Sequence, residues 1–261
     1  MATVRSSAGV TLSVWKALFL REAVYRLFSH RVAWVWLLLE PIVHIVFLMF
    51  LFTVIRLRSI GGIDTALWLM IGMLAFFMFR RTGIQAMNAV GSNMALFVYR
   101  QVRPVDTVFS RAGVEGFLMV IVAIALFAGA GLFGIAIIPA DPLAVLEAFF
   151  GLWLLGVGFG LMTSVVRELV PEIGKMIMLL MTPLYFISGV IFPLGAAPQP
   201  YREWLMFNPV AHGLEAARLG FAPYYHAVPE LSVAYLYGFA LTMIFLGLAL
   251  QVRFSVRLTT Q

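Results

Sequence analysis

The sequence predicts an all-α integral membrane protein of six transmembrane helices, with an N-terminal interfacial helix and a re-entrant helical hairpin between spans five and six. Three observations carry that prediction. Apolar residues make up 62% of the 261 and charged residues 11%, with mean hydropathy +0.99; a water-soluble domain of this length needs far more polar surface. Apolar runs of spanning length alternate with short basic segments. The stretch from Met176 to Phe221 is broken by SGVIFPL (Ser188 to Leu194) and by the bend GAAPQP, and its second half, YREWLMFNPVAHGLEAARLGF, is too polar to span and too apolar for a solvated loop. Irregular backbone at membrane depth must be buried in protein or line a wet cavity, so such a chain is expected to move something across the membrane.

Residues 1–32 set Arg5, Lys16, Arg21, Arg26 and Arg31 among Trp15, Leu18, Phe19, Tyr25 and Phe28, which predicts an interfacial helix. The apolar residues fall nearly all round its wheel, so its amphipathic signal is weak. No cleavable signal peptide is expected, because the first apolar run follows a basic leader and is long enough to span.

Span one, Ala33 to Ile55, has roughly the 20 residues a bilayer core needs. Glu40 and His44 lie four apart on one face of it, beside Pro41. An ionisable pair inside a span faces protein or water, and these two are expected as a buried pair.

Span two begins near Thr65. Its apolar run, Ala66 to Phe79, is roughly 21 Å of helix against a core roughly 30 Å thick. Arg80 and Arg81 therefore fall in the inner third of the membrane. Each would cost up to roughly 2.5–3.5 kcal/mol at mid-span and less near the interface. Adjacent residues point about 100° apart, so one can snorkel while the other faces a channel. A positive wall there favours a polyanion, and arginine's planar fork suits carboxylates.

The segment Gln85 to Arg111 is mixed, basic and punctuated by Pro104, and reads as a cytoplasmic helical loop. Spans three (Ala112 to Ile138) and four (Leu143 to Val166) form a hairpin around Pro139 to Pro142. Small residues at four-residue spacing, Ala130/Gly134 and Gly156/Gly160, predict close helix packing rather than a dimer seam. The charged turn RELVPEIGK (Arg167 to Lys175) leads to span five, Met176 to Phe192. Glu168 and Glu172, four apart, would share one face of a helical turn. In the re-entrant stretch His212, Glu215 and Arg218 are spaced three apart and are expected to satisfy one another where water is scarce. Span six runs from Leu231 to Val252.

With both termini inside, the inner flanks hold twelve of the eighteen Lys and Arg, the outer segments four (Arg56, Arg58, Arg202, Arg218), and span two the remaining pair. That asymmetry predicts cytoplasmic termini, and the net charge of +6 follows topology rather than a nucleic-acid surface. There are no cysteines, and the four histidines lack metal-ligand spacing. No phosphate loop occurs: Gly174-Lys175 is followed by methionine and lacks the upstream glycine. Carriers driven by ion gradients place carboxylates mid-span; here Glu40 is the candidate, with Glu115 and Glu147 near span ends. No serine–histidine–acid arrangement stands out. These absences favour a powered permease subunit over an autonomous carrier or an enzyme.

WLLLEPIVHI, YRQVRPVDTVFSR, RELVPEIGK, SGVIFPL and FNPVAHGLEAAR, five strings in order over almost the whole chain, resemble the permease subunits of ABC exporters for bacterial capsular polysaccharide, the KpsM-like proteins, with O-antigen permeases as near relatives. Glu168 stands where aspartate is common in that family. The resemblance implies a single permease domain over 1–261: a cytoplasmic interface helix (1–32), six spans (33–253) and a periplasmic re-entrant region (194–230). It implies a homodimer in the bacterial inner membrane that binds two cytoplasmic ABC ATPase subunits, which bind ATP and Mg; no cofactor is expected in this chain. A lipid-linked acidic glycan would pass between the two permeases to periplasmic and outer-membrane export proteins.

The implied ATPase-coupling residues are Arg100, Arg103, Asp106, Arg167, Glu168 and Glu172. His212, Glu215 and Arg218 would shape the periplasmic exit as a re-entrant gate. Arg80, Arg81, Trp15, Trp36, Trp68 and Tyr99 would line the substrate path, with Trp204 a further aromatic on which sugar rings could stack; most membrane aromatics, though, sit in interfacial belts. Exporters of O-antigen, teichoic acid or a small hydrophobic compound would share the fold, the last without needing a basic lining. A membrane enzyme acting on lipid-linked sugars would need a carboxylate or metal-ligand cluster, which the sequence lacks.

Overall fold

The computed structural model describes residues 7–28, 33–54, 59–99 and 101–259. Among them the regular secondary structure is helical apart from one two-stranded hairpin. The leader forms α1 (Ser7–Phe28), and α2 (Ala33–Val54) carries Pro41 inside it. The strands β1 (Ser59–Ile60) and β2 (Ile63–Asp64) pair antiparallel. Asp64 then caps α3 (Thr65–Met87): its Oδ1 accepts from the amides of Ala66 at 2.9 Å and Leu67 at 3.3 Å, satisfying two donors that a helix start leaves open.

The apolar run of span two ends at Phe79, but the helix does not. Nothing in RRTGIQAM breaks it, so α3 carries Arg80 and Arg81 in its body and continues for six residues beyond them. A 3₁₀ segment (Gly91–Val98) follows. The expected cytoplasmic loop is therefore shorter than Gln85 to Arg111: α4 (Pro104–Leu132) starts eight residues before Ala112. Pro104 at the first helical position and Asp106 at the third explain the early start, because the Asp106 carboxylate accepts the Arg103 amide at 2.9 Å. At its far end α4 stops at Leu132 and Gly134 takes a φ of 81°, so Ala130 and Gly134 are not a helix-packing pair.

The helix α5 (Pro142–Leu169) ends at Val170, and α6 (Pro171–Ile187) begins at the next residue. The ring of Pro171 drives Val170 out of helical conformation, with φ −142° and ψ 89°. Glu168 and Glu172 thus sit on two different helices, and the shared helical face expected of them does not form. After α6 come a loop, a 3₁₀ turn (Leu194–Ala196), the short α7 (Tyr201–Leu205), α8 (Pro209–Phe221), α9 (Val233–Arg253) and α10 (Ser255–Thr259).

Four helices among the described residues, α3, α4, α5 and α9, are long and apolar enough to cross a membrane. The core is organised around α3, of which Trp68 to Phe76 is almost wholly enclosed. α5 packs between α3 and α9, and glycines set those distances. A Cβ on Gly156 would lie 2.9 Å from the Phe79 carbonyl oxygen, and one on Gly160 would overlap the Ala86 methyl; on another face, one on Gly158 would lie 2.8 Å from Met243 Cβ. Gly156/Gly160 is a packing seam within the chain, as its spacing predicts. Replacing Gly160 by alanine is expected to cost about 1–3 kcal/mol through overpacking. It should lower the thermal midpoint in detergent, whereas Gly238→Ala, with nothing within 4 Å of its added carbon, should not.

Candidate functional site

Two polar constructions and one cavity are arranged along α3. At the end where α3 begins, α8 is enclosed on nearly every side. It is thirteen residues long, roughly 20 Å, too short for a core roughly 30 Å thick. Asn208 caps it, accepting the Val210 amide at 3.0 Å. At its other end the Gly220 carbonyl accepts the Asp141 amide at 2.8 Å, which fixes α8 to the head of α5.

Arg218 and Glu215 on α8 are both fully buried and pair at 3.0 Å. The guanidinium also donates to the carbonyls of Gly189 at 2.9 Å and Val190 at 3.0 Å, and lies 3.5 Å from the centre of the Trp68 ring. The Tyr225 hydroxyl lies 3.1 Å from both Glu215 oxygens, and the Trp68 indole donates to Tyr225 at 3.4 Å. Gly72 leaves the space, since a Cβ there would overlap Arg218 Nη2. The broken string SGVIFPL is thus the acceptor for a buried cation. Gly189, with φ 73°, makes the turn that aims its carbonyls inward.

His212 is not a third member. Each three-residue step falls about 60° short of a full turn, so six residues rotate it about 120° from Arg218. Its Nδ1 accepts the Ser232 amide at 3.0 Å, so Nε2 carries the proton and donates to the Met206 carbonyl at 2.7 Å. Trp68 has no accessible surface, so it belongs to this knot and not to the wall of a path.

Between α2, α3 and α6 lies an open cavity of about 840 Å³. Glu40, His44 and Phe47 face it from α2, Phe77, Arg80 and Arg81 from α3, and Met178 and Met181 from α6. Glu40 and His44 are exposed to this space rather than buried. They face the cavity because α2 contributes one of its walls. The adjacent arginines diverge, as their 100° separation requires. Arg80 is exposed, while Arg81 turns back and its Nε meets Glu115 at 3.3 Å.

At the end where α1 lies, the Trp15 indole donates to Asp106 at 2.7 Å, and its ring tilts against Phe109. Trp15 is 40% exposed and Tyr99 66%; neither lines the cavity between α2, α3 and α6. Asp106 is buried, since one carboxylate serves both Trp15 and the start of α4. Arg103 borders a second groove, of about 510 Å³, formed with the end of α9 and with α10. Arg167 donates to the Asn88 side chain at 2.5 Å, Glu168 lies beside Gly91, and Glu172 is exposed in the first turn of α6. Trp204 is 61% exposed on α7. Arg100 and the Trp36 side chain lie outside the described residues.

Sequence reasoning missed a charged cluster joining α1, α3 and α4. Glu22 takes Arg26 at 2.9 Å and Arg111 at 2.7 Å; Arg26 also pairs with Glu115 and donates to Gln85 at 2.7 Å. Its signal was present as two opposite-order i, i+4 pairs, Glu22/Arg26 and Arg111/Glu115, on segments read as a basic flank and as a span end.

The ABC-2 type transporter family matches residues 13–222. The chain belongs to that family. Among this transporter's relatives, the polysialic acid transport protein KpsM of Escherichia coli is 35% identical over 246 residues, covering 94% of this chain and 95% of the relative. The capsule polysaccharide export inner-membrane protein CtrC of Neisseria meningitidis is 26% identical, covering 92% and 90%. BexB of Haemophilus influenzae, of the same description, is 26% identical over 97% and 95%.

Removing one partner of a buried pair leaves an uncompensated charge, at a cost of about 3–5 kcal/mol. Glu215→Ala is therefore expected to lower the thermal midpoint of this transporter sharply. Arg218→Lys should do nearly as badly, because an ammonium cannot span both carbonyls while lying flat on Trp68. A thermal midpoint of Arg218→Lys equal to wild type would contradict this account of the knot.

Proposed function

We propose that this chain is the transmembrane subunit of an ATP-driven exporter carrying a lipid-linked acidic capsular polysaccharide across the bacterial inner membrane. The observation that carries the reading is the cavity with Arg80 exposed in its apolar wall. A fixed cation between low-dielectric walls draws a polyanion in preference to a neutral solute, and a guanidinium fork matches a carboxylate. A relative named for polysialic acid transport, similar over nearly the whole chain, points the same way.

In this reading α2 and α6 join α3, α4, α5 and α9 to give six spans, the count being supported by their lengths of 22 and 17 residues and by their place in the cavity wall. Region 194–230 is the re-entrant element on the periplasmic side, with Glu215 and Arg218 holding it rigid at the exit. Both termini lie in the cytoplasm, and residues 1–261 form one permease domain. Two copies pair with their cavities facing, so that Arg80 of each reaches the polymer. Two ATPase subunits, which bind ATP and Mg, dock at the α1 end, where Arg100, Arg103, Arg167, Glu168 and Glu172 supply charged contacts and Asp106 holds α4 to α1 through Trp15. Periplasmic and outer-membrane export proteins take the polymer onward. The chain itself supplies no nucleotide chemistry.

The test is export by the permease–ATPase complex in proteoliposomes. Arg80→Gln should lower export of an acidic polymer about tenfold, the scale of one charge-assisted bond, with normal amounts of assembled complex. The isolated chain should hydrolyse no ATP. Wild-type export by the Arg80→Gln complex would overturn the assignment of the path.

A further inference from the structure

We propose that Arg26 is a positioning residue for transport, tying α1 to the cavity wall of α3 through the buried carboxylate of Glu115. The inference rests on the reading just given, with α1 beside the ATPase and Arg80 on the polymer.

Among the described residues of α1, Leu18 is the only apolar side chain that is buried; Leu12, Leu20, Val24 and Tyr25 are exposed. Phe19 and Trp15 add ring contacts with Phe117 and Phe109 on α4, and polar contacts fix the helix further. Trp15 bonds Asp106, Arg21 bonds Asn93, and Glu22 bonds Arg111. Arg26 goes furthest. Its Nε donates to Glu22 on its own helix at 2.9 Å, its Nη1 meets Glu115 on α4, and its Nη2 donates to Gln85 on α3 at 2.7 Å. The other Glu115 oxygen takes Arg81 at 3.3 Å. One guanidinium and one carboxylate thus join three helices.

The α3 ends of these bonds are the cavity wall. Arg81 and Gln85 both face the cavity, and Arg81 is the immediate neighbour of Arg80. Apolar surfaces can slide past one another, but directional bonds anchored on a fully buried carboxylate, Glu115, hold distance and angle. Displacement of α1 by a bound partner is carried by Arg26 to the segment of α3 that presents Arg80, so α1, α3 and α4 move as one body.

The test uses the permease–ATPase complex in proteoliposomes. Arg26→Gln keeps an amide near the acceptors and removes the charge and the fork. Assembly, the rate of ATP hydrolysis and KM for ATP should stay at wild-type values, while polymer exported per ATP falls about tenfold, within the range of coupling between sites. Arg26→Lys should not restore it, because one ammonium cannot hold the same planar spread of acceptors. Should Arg26→Gln reduce assembly, Gln85→Met removes the direct bond from α1 to α3 and leaves the route through Glu115 to Arg81, so export per ATP should fall, by less than in Arg26→Gln, and no fall would overturn the proposal.

The chain has no cysteine, which permits a rescue. A Phe19 ring carbon lies 3.5 Å from the place a Gly113 Cβ would take. Phe19→Cys with Gly113→Cys, bridged by a short thiol-reactive spacer, re-fixes α1 to α4 and should return export per ATP in the Arg26→Gln chain. Unchanged export per ATP in Arg26→Gln, or no recovery on bridging, overturns the proposal. Failure of the underlying reading is separate: it would appear as wild-type export by Arg80→Gln, or as no complex with an ATPase.

Discussion

A fully buried guanidinium is the constraint on which the α8 half of this protein depends. Removing a charge from water costs several kcal/mol per ion, and that cost is offset only when opposite charge and hydrogen bonds surround it. Arg218 finds Glu215, two backbone carbonyls and the face of Trp68. These partners come from α8 itself, from the loop after α6 and from α3, so satisfying one cation fixes three segments together. The loop after α6 must turn at Gly189, α3 must have a glycine at position 72, and Tyr225 must come back to cover Glu215. A helix too short to span is thereby held inside the protein, enclosed on nearly every side.

Much of the fold was legible because apolar length is a strong signal. The runs beginning at Ala33, Thr65, Leu143 and Leu231 all became helices. The errors fell where composition and backbone part company. The loop expected over Gln85 to Arg111 was too long, because charge marks no helix end: α3 runs on to Met87, and Pro104 starts α4 eight residues before Ala112. The reverse error came at Val170: RELVPEIGK reads as one charged turn, yet Pro171 splits it between two helices. In the site, sequence spacing placed Glu215 with Arg218, since three residues is a contact distance on a helix. It also placed His212 with them, and there it failed, since a second three-residue step rotates away. The other partners of Arg218 lie 28 residues away and more, beyond what spacing on one helix shows.

The two adjacent arginines of α3 carry different work for a geometric reason. Both border the cavity, but at about 100° apart they point to different neighbours. Arg81 turns toward α4, where Glu115 gives it a counter-charge. Arg80 is left exposed on the cavity side. The same helix that is sealed at Trp68 and Gly72 thus opens at Arg80, about two turns beyond Gly72.

The two charged groupings along α3 also differ in balance. At the α8 end one carboxylate meets one guanidinium, and the pair is neutral and closed. At the α1 end Glu22 and Glu115 face Arg26, Arg81 and Arg111, two anions against three cations. A neutral closed pair sends little field beyond itself and suits a fixed part. The extra positive charge lies next to the cavity, where Arg80 and the carboxylate of Glu40 also face the open space. A wall that draws in an anion is then the same wall to which α1 is tied. On the proposed function, recruitment of the polymer and the motion that drives it would both act on one short segment of α3, Arg80 to Gln85.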